Sequence, residues 1–172
     1  MPPVTISAVL ASIFLYSSNS NPVKETEALK ILGIELDSNR LCYVLAAGTS
    51  PTDASVSASG KLQMGETREA VDIRKFAAQV TSLLADLSPE VIAVKAKPES
   101  GQMRAGAAAL KMEAILIAQS ACDVYFLSPQ RLKPIDDHAD LFAYLQGAWK
   151  AAIGGFDPPK KKPAAKTKPK IK

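Results

Sequence analysis

The sequence predicts one α/β domain built on a five-stranded mixed sheet, and three observations carry that expectation. Short strand-like runs come before any helical signal, helical periodicity then alternates with apolar runs, and turn-forming residues separate the segments. At 172 residues, 47% of them hydrophobic, the chain is long enough to bury a full core and too short for two ordinary domains.

Residues 1–27 read as a poorly ordered N-terminal extension. Their apolar stretch from Val4 to Tyr16 is too short to span a bilayer at about 1.5 Å per residue. It lacks the positively charged start and the small-residue cleavage site of a secretory signal. An unusual signal or anchor is the second reading. The cluster Ser17 to Pro22 marks the entry to a domain expected over 28–154.

Leu29 to Leu36 reads as the first strand, Asp37-Ser38-Asn39-Arg40 as a turn, and Leu41 to Ala47 as its antiparallel partner. A weaker third strand falls between Ala54 and Met64. Ile73, Phe76, Val80, Leu83, Leu84 and Leu87 recur at three- and four-residue spacing and predict a helix closed by Ser88-Pro89. Asp72, Lys75, Gln79 and Asp86 are left to its solvent face. Glu90 to Lys95 is a short β-branched run, expected as a buried central strand.

Arg104 to Ala121 contains strong helix formers and is apolar on nearly every side, so it is expected as the most buried helix. Cys122 to Leu127 makes the fifth strand, and Ser128-Pro129 opens a short helical turn. A last helix is expected from Asp136 to about Ile153, ended by Gly154-Gly155. The order is three strands, helix, strand, helix, strand, helix: a meander followed by right-handed crossovers.

The net charge of +4 belongs to the C-terminus. Lys160 to Lys172 holds seven of the 21 basic residues, and the remaining fourteen face seventeen acidic ones, leaving −3 for residues 1–159. The segment 155–172 is expected to be a disordered, lysine-rich tail. Lys160, Lys161, Lys162, Lys166, Lys168 and Lys170 can displace counterions from a nucleic acid, giving sequence-independent, salt-sensitive affinity. A solubilising end or a contact with an acidic membrane surface are the other readings. Cys42 and Cys122 fall in apolar strands and read as buried free thiols rather than a disulfide, which favours a reducing, cytoplasmic setting.

The run ILGIELDSNRLCYVL resembles the opening of RuvC-type Holliday-junction resolvases: an apolar strand with Gly, an apolar residue and an acid, then a tight turn. The segment VIAVKAKPESGQMRAGAAALKMEAILIAQSACDVYFLSPQRLK resembles their strand, basic loop, Ala-rich helix, strand and [ST]-P-x-x-[VIL]-K. It is closer still to an uncharacterised bacterial RuvC-like family, in which a K-G-K/R-x-A-G-G-A loop leads into a helix with K-x-E-A. Here Ser100 to Ala107 and Lys111-Met112-Glu113-Ala114 stand in those places. The resemblance covers roughly residues 29–150 and implies a ribonuclease H-like fold, nucleic acid as partner and the option of a homodimer.

The same resemblance implies Mg²⁺ or Mn²⁺ if the domain is catalytic, held by carboxylates from strand one, strand four and the last helix. Glu35 stands at the strand-one position, and Asp37 shares its face. Asp137 and Asp140 resemble the paired acids of the last helix. The candidate catalytic set is thus Glu35, Asp137 and Asp140, and the candidate ligands are Glu35, Asp37 and Asp140. Asp37 also reads as a turn former, and Asp136, Asp137 and Asp140 as first-turn acids favoured by the helix dipole.

Strand four departs from the pattern, with Lys95 where the resolvases carry Glu. An ammonium there repels metal and is expected to pair with Glu35. Lys95, Lys97 and Arg104 lie near the expected active face, where a phosphate backbone would run. His138, the only histidine, reads as a surface residue, a base or a ligand, and Lys111 and Glu113 as an ion pair or a family-specific site. Three functions follow: a nucleic-acid-associated domain with lost or altered nuclease activity, an active metal-dependent endonuclease, or a non-catalytic scaffold.

Overall fold

The computed structural model of the chain describes residues 27–97 and 105–159. The expectations for the N-terminal extension before residue 27, for Arg104 and for Lys160, Lys161, Lys162, Lys166, Lys168 and Lys170 lie outside the described residues.

Strands β1 (Leu29–Asp37), β2 (Arg40–Gly48) and β3 (Ser55–Gln63) form the antiparallel meander. Ser38, with φ of 55°, takes the left-handed conformation that lets two residues reverse the chain between β1 and β2. Asn39 then ties this turn to the end of β3: its carbonyl accepts from Met64 N–H at 2.8 Å, and its side-chain amide donates to Met64 O at 3.1 Å.

Helix α1 (Ala70–Leu87) follows, burying Phe76 and Val80 as the periodicity predicts. It ends where Ser88 adopts φ of 45° and donates its N–H to Leu84 O. Strand β4 (Val91–Lys95) runs parallel to β1, started by two hydrogen bonds between Glu90 and the Lys30 backbone. Helix α2 (Ala107–Gln119) leads to β5 (Asp123–Leu127), parallel to β4, and Ser128 caps the short α3 (Pro129–Leu132) with Pro129 in its first turn. The sheet order is β3-β2-β1-β4-β5. Both thiols are free, Cys42 buried and Cys122 half-buried.

Alternation along each strand sends two residue sets to opposite faces. Leu32, Ile34, Ile92 and Val94 pack with Phe76, Val80, Met112 and Leu116 of α1 and α2. Ile31, Val44, Ala46 and Ala93 pack against the last helix, α4 (Gln146–Gly154).

Two expectations fail at the helices. Helix α4 starts ten residues later than predicted, after a single 3-10 turn at Ala143–Leu145, so Asp136, Asp137 and Asp140 lie in an irregular loop. The Gln146 side chain competes with the helix there. Its Oε1 accepts the His138 N–H, and its Nε2 donates to the carbonyls of His138 and Leu141, each at 2.9 Å. The shared helical face of Asp137 and Asp140 and the helix-dipole reading of these acids both fall with it.

The most buried helix is α4, not α2. Leu110 and Ile117 of α2 are 40% and 47% exposed, whereas Ala148, Ala151 and Ala152 of α4 are fully buried and Trp149 and Ile153 nearly so. The reason lies in the sheet beneath: a Cβ at Gly33 would collide with Ala148 O and the Ala152 backbone N–H. Small residues on both sides let α4 lie directly on β1.

Gly33→Ala is therefore expected to destabilise the fold by about 1–3 kcal/mol, because the colliding atoms are backbone and cannot rotate away. Urea unfolding followed by circular dichroism measures this as a lower midpoint at unchanged slope.

Candidate functional site

The parallel register that sets Ile34 beside Val94 carries Glu35 alongside Lys95 at the C-terminal ends of β1 and β4. Both side chains project to the face covered by α4. Lys95 Nζ lies 2.5 Å from Glu35 Oε1, with the Glu35 side chain only 19% exposed. Two residues on, the pattern repeats more openly. Asp37 Oδ2 accepts from Arg40 Nη2 at 2.7 Å, and Asp37 Oδ1 lies 3.7 Å from Lys97 Nζ. The Arg40 hydrogen bond holds the Asp37 carboxyl below its ordinary value against partial desolvation, and the Lys97 charge adds to this effect.

Helix α4 closes the site from above. Gly147 sits so close to the Glu35 carboxylate that any side chain there would overlap it. On the other flank, Cys42 pairs with Glu35 in one direction and Lys61 in the other, so Lys61, Cys42, Glu35 and Lys95 form a row across four strands. Burial pushes the Cys42 thiol up, and the Glu35 charge raises it further.

A cavity of about 380 Å³ opens beside Lys95, between α3 and the first turns of α4. Lys95, Lys133 and Lys150 line it together with Gly147, Pro129 and Leu132, and no carboxylate does. Asp137 is drawn to Lys150, 2.8 Å from its Nζ. Asp140 donates its N–H to His138 Nδ1 at 3.3 Å, and His138 stands edge-on to Trp149. Lys111 donates to Thr67 O, anchoring α2 to the loop after β3.

Of the residues singled out from sequence, Glu35, Asp37, Lys95 and Lys97 come together, whereas Asp137 and Asp140 stay on the loop before α4. Among the described residues, no three His, Cys, Asp or Glu side chains gather into a group able to hold a metal. The donors present do not fit the divalent cations that the fold implies. Glu35 is neutralised by an ammonium on the adjacent strand, Asp37 by Arg40 and Lys97, and Asp137 by Lys150.

Sequence reasoning missed Lys61, Lys133, Phe142, Tyr144, Gly147 and Lys150. A glycine inside a helical run was a usable signal for Gly147. Phe142 and Tyr144 were hidden, because residues two apart on a continuous helix do not share a face. With Phe142 extended just before the 3-10 turn that holds Tyr144, their rings stack, 5.7 Å apart and 8° from parallel.

A five-stranded mixed sheet in this order, with helices on both faces, is the ribonuclease H-like fold. Thermus thermophilus RuvC superposes with a TM-score of 0.59 at 13% identity, over 73% of this chain and 92% of that one. The structure of T. thermophilus RuvC in complex with Holliday junction substrate gives 0.57 at 15% identity, over 73% and 91%. At these identities the likeness is one of fold. Residues 29–146 match the family described as protein of unknown function (DUF3010), and the chain belongs to that family. No curated protein matches the sequence.

Lys95→Met is expected to cost about 1–2 kcal/mol of stability, less than for a fully buried pair because Glu35 keeps some access to water. The double variant Glu35→Gln/Lys95→Met should recover part of that loss in thermal or urea unfolding, since no unpaired charge remains. Separately, the Asp37 carboxyl followed by NMR should titrate below the ordinary aspartate value, and Arg40→Ala should raise its midpoint. Because the folded value is depressed, this contribution to stability is present at neutral pH and is lost as pH falls through that value.

Proposed function

We propose that this chain is a nucleic-acid-associated RuvC-like domain in which metal-dependent cleavage has been lost. The observation that carries this reading is the Glu35–Lys95 ion pair. A two-metal site needs converging carboxylates, and here the β4 position supplies the opposite charge.

Binding is supported by what surrounds that pair. Lys95, Lys133 and Lys150 line the neighbouring cavity, Lys95 already paired with Glu35 and Lys150 with Asp137, and ammonium groups bind phosphate as point charges. A neighbour of the same fold is held in complex with Holliday junction substrate. The tail lysines Lys160, Lys161, Lys162, Lys166, Lys168 and Lys170 would add affinity that falls with salt. Cytoplasmic residence is supported by the free thiols of Cys42 and Cys122. Among the described residues, no helix is long and apolar enough to cross a membrane.

Incubation with branched, single-stranded and duplex DNA and RNA, with Mg²⁺ or Mn²⁺, is expected to give binding at low salt and no cleavage. Deleting residues 160–172 should lower affinity without abolishing it. Cleavage that disappears in Glu35→Ala would establish an active endonuclease instead. Absence of binding by both the full and shortened chains would leave a scaffold.

A further inference from the structure

Phe142 is 70% exposed and Tyr144 39%, and the two rings lie nearly parallel immediately before α4. Lys61 of β3 places its Nζ 5.3 Å from the centre of the Tyr144 ring, a cation–π contact. We propose that Phe142 and Tyr144 form a stacking platform for an unpaired nucleobase, with Lys61 positioned to meet the adjoining phosphate. This rests on the nucleic-acid reading above and narrows it to single-stranded segments.

Three features support a base as the occupant. First, the platform is held in place before any ligand arrives. The carbonyl of Phe142 accepts the Leu145 N–H at 2.9 Å, Leu145 is buried, and the Gln146 side chain fastens the preceding loop at three points. A rigid aromatic surface loses little freedom on binding.

Second, Lys61 and Lys95 lie at the two ends of one cross-strand row on the sheet face that α4 covers. The row from Lys61 through Cys42 to Glu35 spans two strand spacings, or about 10 Å of backbone. Lys95 lies one strand further on and opens into the cavity shared with Lys133 and Lys150. Aromatic faces beside basic side chains are the arrangement by which proteins hold single strands without reading sequence.

Third, the patch is small and flanked by positive charge. The other large exposed apolar side chains, Val71, Leu110, Ile117 and Phe126, belong to α1, α2 and β5 rather than to this segment. Two isolated rings beside an ammonium match the flat face and the phosphate of one nucleotide better than the broad apolar area of a second copy.

The test uses the full chain with single-stranded DNA and RNA oligonucleotides carrying 2-aminopurine, whose fluorescence falls when an aromatic ring stacks on it. Duplexes of equal length serve as the comparison. Quenching on binding is expected for the native chain. Phe142→Ala should remove the quenching and weaken single-strand binding at least about fivefold. It should leave duplex binding and the salt dependence unchanged, because no charge is removed. Phe142→Trp should preserve both signals. The DNA and RNA arms show which strand is preferred.

Binding without quenching, or equal losses on single strands and duplexes in Phe142→Ala, overturns the platform while leaving the nucleic-acid reading intact. Absence of binding to every oligonucleotide overturns both. A dimer seen by sedimentation that Phe142→Ala dissociates, with oligonucleotide binding unaffected, assigns the rings to a second copy instead.

Discussion

The contact between α4 and β1 is the constraint on which the rest of this molecule depends. Gly33 and Ala93 on the sheet face Ala148, Ala151 and Ala152 on the helix, and Gly155 meets Ile31 and Ala93 at the far end. At Gly33 no side chain larger than a methyl group separates the central strand from the helix. The first turn of α4 is thereby fixed above the end of β1, where Gly147 and Glu35 share one small space. Glycine and alanine thus act here through the volume they leave free.

That packing sets the electrostatics. A carboxylate held under a helix and shielded on the Cys42 side has few routes to water, so it needs a partner of opposite charge. The parallel register supplies one from the neighbouring strand, and the same register sets Asp37 near Lys97. The two contacts differ in kind. Glu35 and Lys95 are partly buried and close, while Asp37 is half exposed and shared with Arg40. The first belongs to the interior of the site and the second to its rim, where solvent screens it.

Much of this was legible in the sequence, for physical reasons that differ from element to element. The strands announce themselves because each is a short apolar run closed by turn residues, and α1 because one face is apolar at helical spacing. The partnership of Glu35 with Lys95 could be foreseen, since a carboxylate in an apolar strand demands a counter-charge. The start of the last helix could not. Asp136 to Leu145 has ordinary helical composition, but the Gln146 side chain bonds back to His138 and Leu141 and fastens it as a loop. The burial ranking failed similarly: composition makes α2 the more apolar helix, yet the bare Gly33 track lies under α4.

Placing Lys95 on β4 has a consequence that reaches beyond the site. A counter-charge carried on the chain is present at a fixed, very high local concentration and is made with the fold itself, whereas a diffusible cation must be captured from the surroundings and can be withdrawn. Neutralisation of Glu35 is therefore indifferent to metal supply and to chelators. The Glu35–Lys95 pair is made from the chain's own residues as the two strands come together.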